Sequence, residues 1–236
     1  AYGKAAVDGT PATVRDHFLI GSATKTVFAT AVLEQVSAGK LKLTDTIARL
    51  DPALARTYPV AAKKTIAQLL GMTSLIPDYA DAAVAKLFAN PQQRFTRDSL
   101  IALGLAEGTP IAAPGGYSTT NYLLLGKVMK TVTGKTPEQL VNAVFRQAGM
   151  SQSRLMTGNV TLPAPRAHGY IGAVYGDQAA EANPALSATS DTTDWRIWSR
   201  ERSDCGAAPA ANAGVVASSV RASGMRRVFG DIGVSR

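Results

Sequence analysis

Residues 18–36 read FLIGSATKTVFATAVLEQV, and the fold depends on how the head of that stretch is understood. From Thr24 onward the apolar side chains of Val27, Phe28, Ala31, Val32 and Val36 recur at helical spacing, and Gly39 ends the run. Ser22 and Lys25 stand one turn apart at the start, among residues that otherwise belong inside. A lysine ammonium is costly to bury unless something uses it. Two readings follow: Ser22 caps the helix and Lys25 is solvated, or Ser22 is a nucleophile with Lys25 as its base. A helix start suits the second, because its free N–H groups and dipole favour an anion. Side chains three residues apart share a face, and a desolvated lysine of lowered pKa can take a hydroxyl proton. The Ser22 N–H is also placed to donate to an oxyanion. The same S-x-x-K pattern recurs at Ser37–Lys40. There it lies at the helix C-terminus beside Gly39, where the dipole opposes an anion, and it reads as a helix stop.

Working outward, residues 1–8 alternate loosely and end at the turn dipeptide Asp8-Gly9. LKLTDTIARLDP (41–52) predicts a short strand or extended segment closed by Asp51-Pro52. Thr65 with Gln68 three residues on predicts a capped short helix over 65–72, followed by a turn at SLIPDY (74–79). Short helices are expected over 81–89 and 97–106, and EGTPIAAPGG (107–116) must be loop. Leu124, Leu125, Val128, Met129 and Val132 then mark a strong helical face ending at Gly134. Thr136, Pro137 and Gln139 begin one more helix with a capping box and proline at its first position.

Beyond about residue 185 the periodicity fades. Seven of the fifteen arginines and both tryptophans fall there and no lysine does, which marks a change of character in the chain. The division expected is 1–188 as the main region and 189–236 as an atypical C-terminal segment.

Composition narrows the function. The 236 residues are 46% apolar and 18% charged, enough for a sizeable core. No apolar run approaches the ~18 residues of a membrane span. The opening AYGKAAVDG has no initiator Met or apolar signal core, as in a processed mature form or a trimmed piece. The single Cys205 excludes an internal disulfide, and two histidines, His17 and His168, argue against a histidine-rich metal site. A net charge of +8 raises nucleic acid as a partner, but the basic residues are scattered and aromatics are only 6%, which argues against it. No G-x-S-x-G nucleophile elbow occurs, so a Ser-His-Asp hydrolase is disfavoured. Gly134-Lys135-Thr136 is not a P-loop, because Met129 stands where its first glycine belongs.

A second group joins Ser22 and Lys25. PGGYSTTNYLLLG (114–126) places Tyr117 in a glycine-rich loop just before a buried helix. A tyrosine beside an ammonium can serve as general base or acid, although a lone tyrosine is more often a packing residue. Three blocks, 20–52, 65–79 and 114–140, in this order and spacing, resemble the serine β-lactamase superfamily. The most similar branch holds class C β-lactamases, D-alanyl-D-alanine carboxypeptidases and related esterases.

The resemblance covers roughly residues 1–186 and implies an α/β fold of β-lactamase/transpeptidase type. An antiparallel sheet would be flanked by helices, beside a mostly helical part, with the site between them. It implies Ser22 as the acyl-accepting nucleophile and Lys25 as its motif lysine. Tyr117 becomes the tyrosine of a Tyr-x-Asn motif, and Thr119 stands in the substrate-binding asparagine position. It implies no metal or organic cofactor, a small-molecule or peptidoglycan-peptide substrate, and an exported, cell-envelope location. Oligomeric state is left open.

Three departures qualify the resemblance. Thr119 replaces the amide and has shorter reach. Met72-Thr73-Ser74-Leu75 stands where many relatives have His-Thr-Ser-Gly, and Leu75 would be strained wherever φ must be positive. The third motif, Lys-Thr-Gly or His-x-Gly, is not found; neither His168-Gly169-Tyr170 nor Val234-Ser235-Arg236 supplies it. The sheet is therefore expected to be incomplete. Relatives also carry a helix and a strand before the segment that opens this chain. The expectation is a fragment, or a homologue altered after about residue 188, as a change of reading frame would produce. The two functional expectations are a serine hydrolase acting through an acyl-enzyme, and an impaired homologue that binds or is slowly acylated without turnover.

Overall fold

The computed structural model describes residues 1–6, 8–90, 93–156, 163–167, 170–171, 180–181 and 196–199. Helices dominate it. They are α1 (Thr24–Ser37), α2 (Ile47–Leu50), α3 (Pro52–Thr57), α4 (Ile66–Leu70), α5 (Ala80–Ala89), α6 (Arg97–Glu107), α7 (Thr120–Thr133) and α8 (Pro137–Gln147). The strands are short: β1 (Phe18–Leu19), β2 (Arg154–Met156), β3 (Tyr170–Ile171), β4 (Ala180–Glu181) and β5 (Arg196–Ser199). β5 lies between β1 and β2 and pairs antiparallel with both, while β3 and β4 form a separate antiparallel pair. None of the helices is long and apolar enough to cross a membrane.

Local chemistry sets most boundaries. Capping boxes start α4 (Thr65 with Gln68) and α8 (Thr136 with Gln139, Pro137 following), and Gly134 in the left-handed region ends α7. A third box, Thr96 with Ser99, starts α6. The first residues turn back at Asp8-Gly9: Asp8 Oδ1 accepts from the Thr10 amide at 2.9 Å, and Lys4 bridges Pro11.

One expectation is corrected. Residues 47–50 of the segment expected to be extended form α2, because Thr46 accepts from the Arg49 amide and Asp51 caps α3 behind Pro52. The preceding turn is held by Asp45, whose carboxylate accepts from the Lys42 amide at 2.8 Å.

The core centres on α7, which is buried nearly all round at Tyr122–Gly126 and again at Val128 and Met129. Helices α2, α4 and α6 pack on it. Phe28, Ala31 and Val32 of α1 join the same core, and α1 packs on α8, where Phe145 is buried. Gly104 lets α6 approach the start of α7, since a Cβ there would stand 2.8 Å from Thr120 Oγ1. β1 is tied down next to the site by His17, whose amide and Nδ1 both meet the Pro165 carbonyl at 2.9 Å. The composition break at 189–236, His168-Gly169 and Val234-Ser235-Arg236 lie outside the described residues, except for β5.

Candidate active site

Between β1 and α1 the chain makes one 3₁₀ turn, Gly21–Ala23, opened by Gly21 at φ 51°. A residue with a Cβ would be strained there, so glycine allows the sharp passage from strand to helix. Ser22 sits exposed in this turn. It does not cap α1: the N-cap is Ala23, with no side-chain bond. Its hydroxyl instead accepts from Lys25 Nζ at 3.0 Å. Lys25 is only 6% exposed, so this is not a solvated surface lysine. The backbone bonds of the turn begin with Ala23 N–H to Ile20 O at 3.2 Å, one residue past the Ser22 N–H. The Ser37–Lys40 copy lies exposed at the far end of α1.

Two tyrosines flank the ammonium. Lys25 Nζ stands 4.9 Å from the ring centroid of Tyr117 and 5.8 Å from that of Tyr122. Tyr122 is buried, and its hydroxyl donates to the Leu70 carbonyl at 3.3 Å. Burial, and secondarily the charge of an ionised Tyr117, pushes the Tyr122 phenol above its ordinary pKa. Tyr117 is 50% exposed. It meets Lys25 through its ring.

The loop carrying Tyr117 is laced to the 72–79 turn. The Gly115 amide donates to Met72 O at 2.9 Å, and the Thr119 amide to Asp78 Oδ1 at 2.9 Å. Ser118 Oγ and Thr120 Oγ1 both donate to Pro77 O, at 3.2 and 2.7 Å. Met72 Sδ accepts from the Ser118 amide at 3.5 Å and from Asn121 Nδ2 at 3.4 Å. Ser74 Oγ donates to Asn121 Oδ1 at 2.6 Å and accepts from the Ile76 amide at 3.1 Å. The turn is bracketed by two non-glycine residues with positive φ, Met72 at 56° and Leu75 at 62°.

Of the residues singled out in the sequence, the structure brings Ser22, Lys25 and Tyr117 together. Thr119 is the half-buried N-cap residue of α7, and its side chain makes no hydrogen bond to Ser22 or Lys25 among the described residues. Sequence reasoning missed Met72, Ser74, Asn121 and Tyr122. A signal existed for Asn121, a polar residue on a buried helix face, and for Tyr122 beside it. Nothing marks Met72 as an acceptor, because its donors arrive from a loop more than forty residues later.

The chain is 30% identical over 139 residues to the penicillin-binding protein PbpX of Bacillus subtilis (strain 168), a match covering 58% of this chain and 32% of that protein. The crystal structure of a penicillin-binding protein from Bacillus halodurans superposes with a TM-score of 0.64 at 28% identity, over 85% of this chain and 62% of that one. A D-stereospecific amidohydrolase from Streptomyces sp. gives a TM-score of 0.63 at 24% identity, over 78% of this chain and 57% of that one, a likeness that bears on the fold alone. The chain thus spans less than two thirds of the length of each. The Beta-lactamase family model matches residues 1–228, and so takes in most of the stretch after residue 188. The fold is therefore β-lactamase/transpeptidase-like, helix-rich with few strands, and the chain belongs to the Beta-lactamase family.

Proposed function

We propose that this chain is a serine hydrolase that works through an acyl-enzyme on an amide, β-lactam or ester carbonyl. The observation that carries the reading is the buried Lys25, with Nζ 3.0 Å from the exposed Ser22 hydroxyl at the head of α1. Ser22 Oγ attacks the carbonyl carbon while its proton passes to Lys25 acting as general base. The resulting oxyanion faces the Ser22 N–H and the start of α1. Collapse breaks the bond to the leaving group, which takes a proton through Tyr117 and Lys25 and leaves an ester on Ser22. Water then attacks that ester by the reverse proton path, releasing the acid and the free serine. Thr119 offers a hydroxyl to a polar group of the substrate.

The names of the 28 and 30% identical relatives favour penicillin-type or peptidoglycan-peptide ligands, and a ligand of that class would be met outside the cytoplasm, in keeping with the exported location the resemblance implies. Thr119 in the amide position and the strained Leu75 favour a second reading, an impaired homologue that is acylated slowly and does not turn over. Loss of one oxyanion donor costs ~3–4 kcal/mol of transition-state stabilisation, enough to stall the cycle at the ester.

A fluorescent penicillin and a fluorophosphonate probe should label the wild-type chain at Ser22. Ser22→Ala should abolish labelling and Ser37→Ala leave it unchanged. Equal labelling of wild type and Ser22→Ala would overturn the assignment. Release of the label, with turnover of nitrocefin or p-nitrophenyl butyrate, separates the hydrolase from the stalled homologue.

A further inference from the structure

We infer that Met72 is a positioning residue for Tyr117, its carbonyl and thioether together holding the loop that sets the tyrosine ring over Lys25. This rests on the role proposed for Tyr117 above. The two backbone contacts bracket that residue: Gly115 N–H reaches Met72 O at 2.9 Å, and Ser118 N–H reaches Met72 Sδ at 3.5 Å. A third donor, Asn121 Nδ2, reaches the same sulfur at 3.4 Å from the first turn of α7.

The direction of the Asn121 amide is not free. A thioether sulfur can only accept, so Nδ2 is the end that faces it, and Oδ1 on the other side accepts from Ser74 Oγ. Ser118 and Asn121 are each 1% exposed, which leaves their N–H groups without water as a substitute partner. A thioether is a weak acceptor, yet a buried donor left unmade loses the full desolvation penalty.

Met72 also holds φ at 56°, a conformation that strains a non-glycine residue and persists where its surroundings over-determine it. The bonds to Gly115, Ser118 and Asn121 are that surrounding structure. Deleting the sulfur while keeping the volume frees the Ser118 side of the loop and lets the Tyr117 ring leave Nζ. Thr119 keeps its own tie, from its amide to Asp78 Oδ1 at 2.9 Å, so the loss should fall on the chemical step rather than on binding.

Two variants and two readouts test this. Met72→Leu removes the acceptor at nearly constant volume, and Met72→Gln restores an acceptor oxygen at similar reach. With the fluorescent penicillin, Met72→Leu should lower the maximal acylation rate constant ~10–100-fold with the half-saturating concentration within about twofold. Met72→Gln should return the rate to within about threefold of wild type. In hydrogen exchange, the Ser118 amide should exchange about tenfold faster or more in Met72→Leu and recover in Met72→Gln.

Wild-type acylation and exchange in Met72→Leu would overturn the inference. So would a loss that Met72→Gln does not recover, or one carried by the half-saturating concentration alone. If the wild-type chain takes no label, the proposed function fails by itself, and Ser118 exchange in the two variants still decides whether Met72 holds the loop.

Discussion

Among the described residues, the ammonium of Lys25 has one hydrogen-bond acceptor, Ser22 Oγ, and two aromatic faces. A desolvated cation over a tyrosine ring gains up to ~2 kcal/mol, which offsets part of the cost of its burial. The two tyrosines are not equivalent. Tyr122 has its hydroxyl engaged on Leu70 O and its pKa raised, first by burial. Under the function proposed above, Tyr117 is the tyrosine of the two that would join Lys25 in the proton path. Tyr117→Phe keeps a ring over Lys25 and loses only the hydroxyl, so acylation by penicillin should fall ~10²–10⁴-fold with little change in melting temperature. Tyr122→Phe should cost ~1 kcal/mol of stability and leave acylation nearly unchanged. A Tyr117→Phe chain acylated at the wild-type rate would remove this tyrosine from the proton path.

At the scale of elements, the turn before α5 stores strain that substitution can release. Leu75 is 44% exposed with φ at 62°, so Leu75→Gly gives up little burial and removes the steric penalty. It should raise stability by ~1 kcal/mol in urea unfolding, and a destabilised variant would show that the Leu75 side chain contributes packing. This strain was expected only through the resemblance, because many relatives carry glycine where this chain has Leu75. The capping boxes at Thr65 and Thr136 were legible from the residues themselves: both partners lie within four residues. The box at Thr96 was not, since its third-position partner is Ser99 rather than Glu or Gln. Helix α2 was hidden because four residues carry too little periodicity, and its bounds come from caps at Thr46 and Asp51 and from packing on α7. In the site, Ser22 and Lys25 could be read because a single helix turn joins them. Their meeting with Tyr117, and the hold of Met72 on Ser118, depend on tertiary approach that no local pattern records.

Across the whole molecule, α3, α6 and α7 are joined by one polar cluster. Tyr58 donates to Asp98 Oδ1 at 3.0 Å, and Lys127 reaches the same oxygen at 2.6 Å. Burial, then the hydrogen bond and charge of Asp98, pushes the Tyr58 phenol up to about 12. Burial opposes the charged form of Asp98, but hydrogen bonds from Lys127 and Tyr58 and the charges of Lys127 and Arg97 outweigh it and hold its pKa below the ordinary carboxylate value. Each shift sets a pH limit of its own sign. The Tyr58 contribution is fully present below the unfolded phenol pKa of about 10 and is lost as pH rises toward the folded value. The Asp98 contribution is present above about pH 4 and is lost as pH falls through its depressed folded value. In melts between pH 9 and 11.5, Tyr58→Phe should flatten the alkaline fall of the wild type, and parallel curves would show that Tyr58 does not carry it.

Helix α1 bears Lys25 and follows directly on the turn that holds Ser22, yet it packs on α8, which begins about a hundred residues later in the chain. At a synthesis rate of roughly 5–20 residues per second, α1 leaves the ribosome on the order of 10 s before its partner exists. During that interval α1 has no α8 to pack against. A nascent chain halted before Gln147 would display the serine and its lysine without the scaffold that makes them a site. Under the function proposed above, acylation of Ser22 would wait for the completed helical layer.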